Sequence, residues 1–133
     1  MIGDTAMSAI LQKALDGTWQ RQRAITNNIA NAETPGYKAI NVSFEKSLDQ
    51  EVQKLASNMD TKEEFYQGLE ELKKSDIEVY SDYSTSERAD GNNVNIESEN
   101  IEMAKTQLQY QYLTRSMTDM FSRLRYAISE GKK

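Results

Sequence analysis

The side chains best equipped for chemistry in this 133-residue chain are its carboxylates, because it has no histidine and no cysteine. Nucleophile–histidine catalysis, Cys/His metal sites and disulfides are all excluded on that ground. The acidic pairs Glu63-Glu64 and Glu70-Glu71 are adjacent in sequence. Adjacent residues on a helix point about 100° apart and do not share one site, so these pairs read as solvated faces. Asp90-Gly91-Asn92-Asn93-Val94-Asn95 suggests a calcium loop, which needs oxygen ligands at alternating positions and glycine at the sixth. Here the fifth position is Val94 and the sixth Asn95, so a turn leading into a helix cap is the better reading. Asn41-Val42-Ser43 fits a glycosylation acceptor, a triplet common by chance, with no secretory signal beside it. Tyr110, Tyr112 and Tyr126, with Met103, Met117 and Met120, have the composition of a ligand pocket. At helical spacing they read as packing surface, since methionine fills irregular gaps between helices. No convergent polar site remains, and neither an enzyme nor a cofactor is expected.

The amides carry more information. Asn27, Asn28 and Asn31 lie in a segment that otherwise reads as helix, beside Ile25 and Ile29. Asparagine is a mediocre helix former, because its amide competes for nearby backbone groups. Amides here imply a helix buried against other elements, with the amides fixing register. The stop is legible at the only proline: Thr34-Pro35-Gly36-Tyr37 has Pro and Gly where a type II turn requires them.

The elements that position these residues follow from spacing. Residues 1–8 show no clear period and read as a lead; a helix is expected from Ser8. Leu11, Leu15, Thr18, Gln22, Ile25, Ile29 and Ala32 recur at alternating intervals of 4 and 3, a heptad seam with Trp19 to one side. Trp19 fits a partly buried core position and an intersubunit contact equally well. Tyr37, Ile40, Val42 and Phe44 form a short extended segment. Ser43 is the expected cap of a second helix carrying Leu48, Val52 and Leu55, broken at Ser57-Asn58-Met59-Asp60. Thr61 caps a third, with Phe65, Leu69 and Leu72 inward and Lys73-Lys74 at its end. Residues 75–97 are the least regular, with Ile77, Val79 and Tyr83 suggesting a short strand and 84–93 a polar loop. Asn95 or Ser98 caps a last helix whose seam is Met103, Thr106, Tyr110, Leu113, Met117, Met120, Leu124 and Ala127, with Phe121 and Ile128 on one side and Arg123, Arg125, Lys132 and Lys133 near its end.

One domain is expected at this length, in three parts: residues 1–38, 39–97 and 98–133. The class is mainly α. Long N- and C-terminal helices pack as an antiparallel coiled-coil-like pair, and an irregular middle segment holds short helices and a short strand. Net charge is −5, and the middle is strongly acidic while the ends are mildly basic. That argues against nucleic acid. No apolar run is long enough to span a membrane, and Met1 to Met7 lacks a basic n-region and an apolar h-region, so any export uses another route.

Asn27-Asn28-Ile29-Ala30-Asn31-Ala32-Glu33-Thr34-Pro35-Gly36-Tyr37-Lys38 resembles the N-terminal signature of bacterial flagellar axial proteins, A-N-N-I-A-N-x-x-T-P-G-Y-K, with Thr26 in place of the usual alanine. Asp90 to Glu97 followed by Met103 to Gln111 resembles the D-G-N-N-V-D-L-D…A-K-N-Q-L-R-Y-Q run of the small proximal rod proteins of that family. Phe121 to Ile128 is similar to their F-S-R-L-R-x-A-I ending. Asn95 replaces the usual aspartate and Asn100 a usual methionine. Residues 9–45 and 88–128 carry the likeness; residues 46–87 match no family pattern.

The resemblance implies a structural subunit of the proximal rod in the flagellar basal body. It implies export through the flagellar type III channel and assembly with other copies of itself, other rod proteins, the hook–basal body complex and export gate components. The expected assembly surface is Leu11, Leu15, Trp19, Gln22, Ile25, Asn28, Ile29, Asn31, Pro35, Gly36 and Tyr37, with Tyr110, Leu113, Met117, Met120, Phe121, Leu124, Arg125 and Ile128 on the last helix. Two seams with too few partners in their own chain are marginal alone, so ordering of the ends is expected to accompany assembly.

Overall fold

The computed structural model describes residues 2–57, 60–86 and 88–131. In chain order these form α1 (Ile2–Ala30), β1 (Ile40–Ser43), α2 (Glu45–Ser57), α3 (Lys62–Lys74), β2 (Glu78–Ser81) and α4 (Ile96–Gly131). Asn58 and Met59 in the expected break, Glu87 in the polar loop, Lys132 and Lys133 after α4, and Met1 lie outside the described residues.

The two long helices pack antiparallel, as their seams require. Leu11 and Ala14 of α1 meet Leu113 and Met120 of α4, and at the other end Ala32 and Ala39 meet Val94. Thr106, Leu113 and Met120, one per heptad, are the buried residues of α4. The seam's dilution with threonine is harmless. Thr18 and Thr106 are both buried, and each hydroxyl donates to the carbonyl one turn back, Ala14 O at 2.7 Å and Glu102 O at 2.7 Å.

Instead of one large core, four small clusters lie along α1. Ala6, Ala9 and Ile10 pack against Leu55, Phe65, Leu69 and Leu72 of the α2–α3 pair. Ala24 packs against Val42 and Phe44. β1 and β2 form a two-stranded antiparallel sheet, with Ile40 opposite Ser81 and Ser43 opposite Glu78.

Local signals mostly held. Thr61 caps α3 in a reciprocal box: its hydroxyl accepts from the Glu64 amide at 3.2 Å, and the Glu64 carboxylate accepts from the Thr61 amide at 3.2 Å. Asn95, rather than Ser98, caps α4, accepting from the Ser98 amide at 3.1 Å. Two expectations are corrected. The first helix starts at Ile2, not Ser8: the start of α1 lies along α4 near Leu124, and Ala6 packs on the α2–α3 core. The cap of α2 is Phe44, not Ser43. The Phe44 carbonyl accepts the first helical bond from Leu48 N at 2.9 Å, and Ser43 belongs to β1. Burial of the Phe44 ring, 2% exposed, holds that residue at the corner between strand and helix.

Candidate functional site: the junction of two asparagine-rich stretches

The stretches 27–38 and 88–95, sixty residues apart in sequence, form a single hydrogen-bonded junction. It sits where α1 ends and α4 begins. Asn28 is fully buried on α1. Its Nδ2 donates to the Ile40 carbonyl at 2.8 Å, and its Oδ1 accepts from the Ile40 amide at 2.8 Å and from the Tyr37 hydroxyl at 3.1 Å. One side-chain amide thus serves both backbone groups of a strand residue, as a neighbouring strand would. Arg21, two turns earlier, continues that edge by donating to the Val42 carbonyl at 2.9 Å.

Asn92 does the equivalent work at the end of α1, where the last carbonyls of a helix lack partners. It is also fully buried. Its Nδ2 donates to Asn31 O and Thr34 O, both at 2.9 Å, and its Oδ1 accepts from Val94 N at 2.8 Å. Asn93 closes the sheet: its Oδ1 accepts from Ala39 N at 2.7 Å and its Nδ2 donates to Asp82 O at 2.7 Å. Gly36 N donates to Asp90 O at 2.8 Å, Lys38 Nζ to Gly91 O at 2.7 Å, and Arg88 Nη1 to Ala32 O at 2.6 Å. Arg88 also reaches Asp90 at 3.1 Å and Glu33 at 3.5 Å. Among the described residues no buried side-chain polar atom is left without a partner.

The turn has the expected geometry. Tyr37 N donates to Thr34 O at 3.2 Å, and Gly36 has φ of +73°. A side chain on Gly36 meets open space, so only the backbone resists one. Gly36→Val is therefore expected to lower stability by about 1–2 kcal/mol, the cost of a left-handed β-branched residue. Pro35→Ala, at an exposed position, is expected to cost less than about 1 kcal/mol, mainly through the unfolded chain. Denaturant unfolding of the two variants checks the order; equal losses would contradict this account of the turn.

Beside the junction, α1, β1 and α4 enclose a cleft of about 380 Å³ whose lining includes Arg21, Val42, Glu45, Glu99 and Glu102. Arg21 pairs with Glu45 through both its terminal nitrogens and lies over the Phe44 ring, 4.9 Å from its centroid. Burial pushes the Glu45 carboxyl up, but the Arg21 hydrogen bond and charge outweigh it and hold the group below its ordinary value. Glu99 has no such cation among the described residues. Desolvation raises its carboxyl despite a hydrogen bond from Asn28, and nearby Glu102 raises it further. Burial, with Glu99 nearby, also raises the Tyr37 hydroxyl.

The chemistry available here is positional. Each buried amide is committed to backbone groups, and no group of three or more metal-ligating side chains occurs among the described residues. The junction fixes the angle at which α1 and α4 meet, and so the faces they present.

The structure divides the expected surface residues into three groups. Leu11, Ile25, Asn28, Leu113 and Met120 are buried within the chain. Leu15, Gln22, Ile29, Asn31, Tyr37, Met117 and Leu124 are half-buried. Trp19, Pro35, Gly36, Tyr110, Phe121, Arg125 and Ile128 are exposed. Trp19 is 52% exposed on the outside of α1, with the Arg23 guanidinium 4.9 Å over its ring. Sequence reasoning missed the long-range partners Arg88, Asn92 and Asn93. It also missed a second row on α4, Ile101, Lys105, Leu108, Tyr112, Arg115, Asp119, Ser122 and Tyr126, spaced 4 and 3 alternately on the side away from α1 and exposed throughout.

A family model described as "Flagella basal body rod protein" matches residues 4–38, which take in most of α1 and the turn. The chain is 37% identical over 123 residues to the flagellar basal body rod protein FlgB of Bacillus subtilis, covering 92% of each. It is 30% identical to that of Aeromonas hydrophila, covering 90% of this chain and 89% of the relative. It is also 30% identical to that of Borreliella burgdorferi, covering 80% and 84%.

Proposed function

This chain belongs to the FlgB family of flagellar basal body rod proteins, and on that premise we propose that it is a structural subunit of the proximal rod. It leaves the cytoplasm through the flagellar type III apparatus and polymerises through its terminal helices to form part of the drive shaft. Its partners are further copies of itself, other rod proteins, and the hook–basal body complex and export gate on which the rod stands. It works in the basal body and carries out no catalysis.

The observation that carries this reading is surface. The chain exposes 9150 Å², whereas a compact monomer of 15.2 kDa exposes about 7,100 Å². Large apolar side chains contribute to it: Trp19, Tyr110, Phe121 and Ile128 are all 42% exposed or more. Burying roughly 2,000 Å² against neighbours is worth on the order of tens of kcal/mol gross at ~25 cal/mol per Å², mostly offset by the cost of ordering the helices. That balance suits a subunit whose ends become rigid only in the assembly.

Leu124 tests it. This half-buried side chain lies beside Asp4, Ser8 and Ala9 at the start of α1. Leu124→Asp puts a carboxylate into that seam, and cells carrying it are expected to lack a complete rod and not to swim. Leu124→Met, which keeps the apolar volume, is expected to swim normally. Wild-type motility of the aspartate variant would sink the proposal.

A further inference from the structure

We infer that the outer face of α4 docks on the acidic groove between α2 and α3 of a second copy of this chain. The inference rests on the reading of the protein as a self-assembling subunit and names the surfaces that meet.

The docking face is the second row on α4. Leu108, Tyr112 and Tyr126 are 67%, 71% and 69% exposed, more than single surface apolar residues need to be. Arg115 lies among them and Arg123 beside them; both are exposed, and neither has an ion pair among the described residues. Tyrosine and arginine are the side chains that most often dominate protein interfaces.

The receiving surface has the opposite charge. The groove, about 430 Å³, is lined by Glu51, Asp60, Glu64 and Glu71 around Leu55 and Gly68, and its one lysine, Lys54, is paired with Glu51 at 2.8 Å. Residues 39–100 carry fifteen acidic and six basic groups, and residues 101–133 carry three and six, so the complementarity extends beyond the groove. The lengths agree: Tyr112 to Tyr126 spans about 21 Å of helix, and α2 is about 20 Å long.

The two surfaces cannot meet within one chain. α2 reaches the α1–α4 seam only through Leu48, beside Leu113 and Met120, and the second row lies on the opposite, exposed side of α4. A contact between different patches on successive copies is heterologous, and it propagates into a helix unless the rotation happens to close. That is the geometry a rod wall requires.

The absence of native cysteine makes the test direct. Chains carrying Gln67→Cys in the groove are mixed with chains carrying Asp119→Cys, midway between Tyr112 and Tyr126, and oxidised. A mixed disulfide dimer is expected as the main product, and the double variant is expected to give a ladder of higher oligomers. Raising the salt concentration should weaken both. Glu71→Lys in the groove partner, or Arg115→Glu in the other, should each lower the mixed yield about tenfold, and the two reversals together should restore most of it. Only like-with-like links, or no rescue by the double reversal, would overturn the inference. The rod assignment has its own arm: cells lacking the chain that still build complete rods refute the assignment. Cells that need the chain but swim normally with Glu71→Lys refute only this contact.

Discussion

Replacing Asn28 by leucine is expected to cost about 3–5 kcal/mol, a large share of the stability of a small domain. Leucine has the same branched shape but a larger volume, so some overpacking adds to the loss of the amide's hydrogen bonds. The variant removes the Asn28 partner of the Ile40 amide and carbonyl, which face a fully buried position on α1 from a half-buried strand. Each orphaned buried group costs about 1–3 kcal/mol. The Tyr37 hydroxyl also loses its acceptor, but its half-buried ring can turn that group to water. Asn28→Asp is a sharper comparison. It keeps the acceptor for the Ile40 amide, loses the donor to the Ile40 carbonyl, and sets a charge beside Glu99, whose carboxyl is already raised by desolvation. Both variants are expected to speed hydrogen exchange at Ile40 and to lower the unfolding midpoint. An unchanged midpoint in the leucine variant would show that the amide is dispensable.

How much of this was legible in sequence depended on range. The turn at Pro35-Gly36, the Thr61 cap and the two heptad seams are local patterns, and each appears where its spacing placed it except at Tyr110 and Ala127, seam positions of α4 that are exposed. The junction is different. Asn92 and Asn93 read as ordinary turn residues, because nothing in a sequence marks an amide as the partner of carbonyls sixty residues upstream. The pairing of β1 with β2 was hidden for the same reason, since four-residue strands separated by two helices have no periodic signature. The second row on α4 escaped because half its members are polar: Lys105, Arg115, Asp119 and Ser122 break the apolar count that reveals a seam. The helix start was misplaced because polar residues at its beginning mask a helix held by tertiary contacts. The surface expected for assembly lay largely on true seams. Seams are filled first by the chain's own helices, which leaves the flanks and backs of those helices for neighbours.

Gly17 is the position where a common stabilising substitution is expected to fail. Glycine in a helix interior costs about 1 kcal/mol relative to alanine, so Gly→Ala in a 29-residue helix ordinarily helps. Here a Cβ on Gly17 would lie 2.5 Å from ring atoms of Phe44. The ring cannot easily retreat. It is 2% exposed, packed against Ala24 and Val42, and overlaid by Arg21. Gly17→Ala is therefore expected to destabilise by about 1–3 kcal/mol, and Gly17→Val by more, since a packed site resists added volume. Phe44 is also the cap of α2, so a displaced ring moves the start of that helix and, with it, the Arg21–Glu45 pair. The double variant Gly17→Ala, Phe44→Leu distinguishes overpacking from a general intolerance of the site. If the ring is the obstacle, the two changes should be less harmful together than their sum, with a coupling of at least about 1 kcal/mol. A stabilised Gly17→Ala, or strict additivity, would mean that α1 does not need its bare backbone against Phe44, and the close contact between the first helix and the strand corner would lose its explanation.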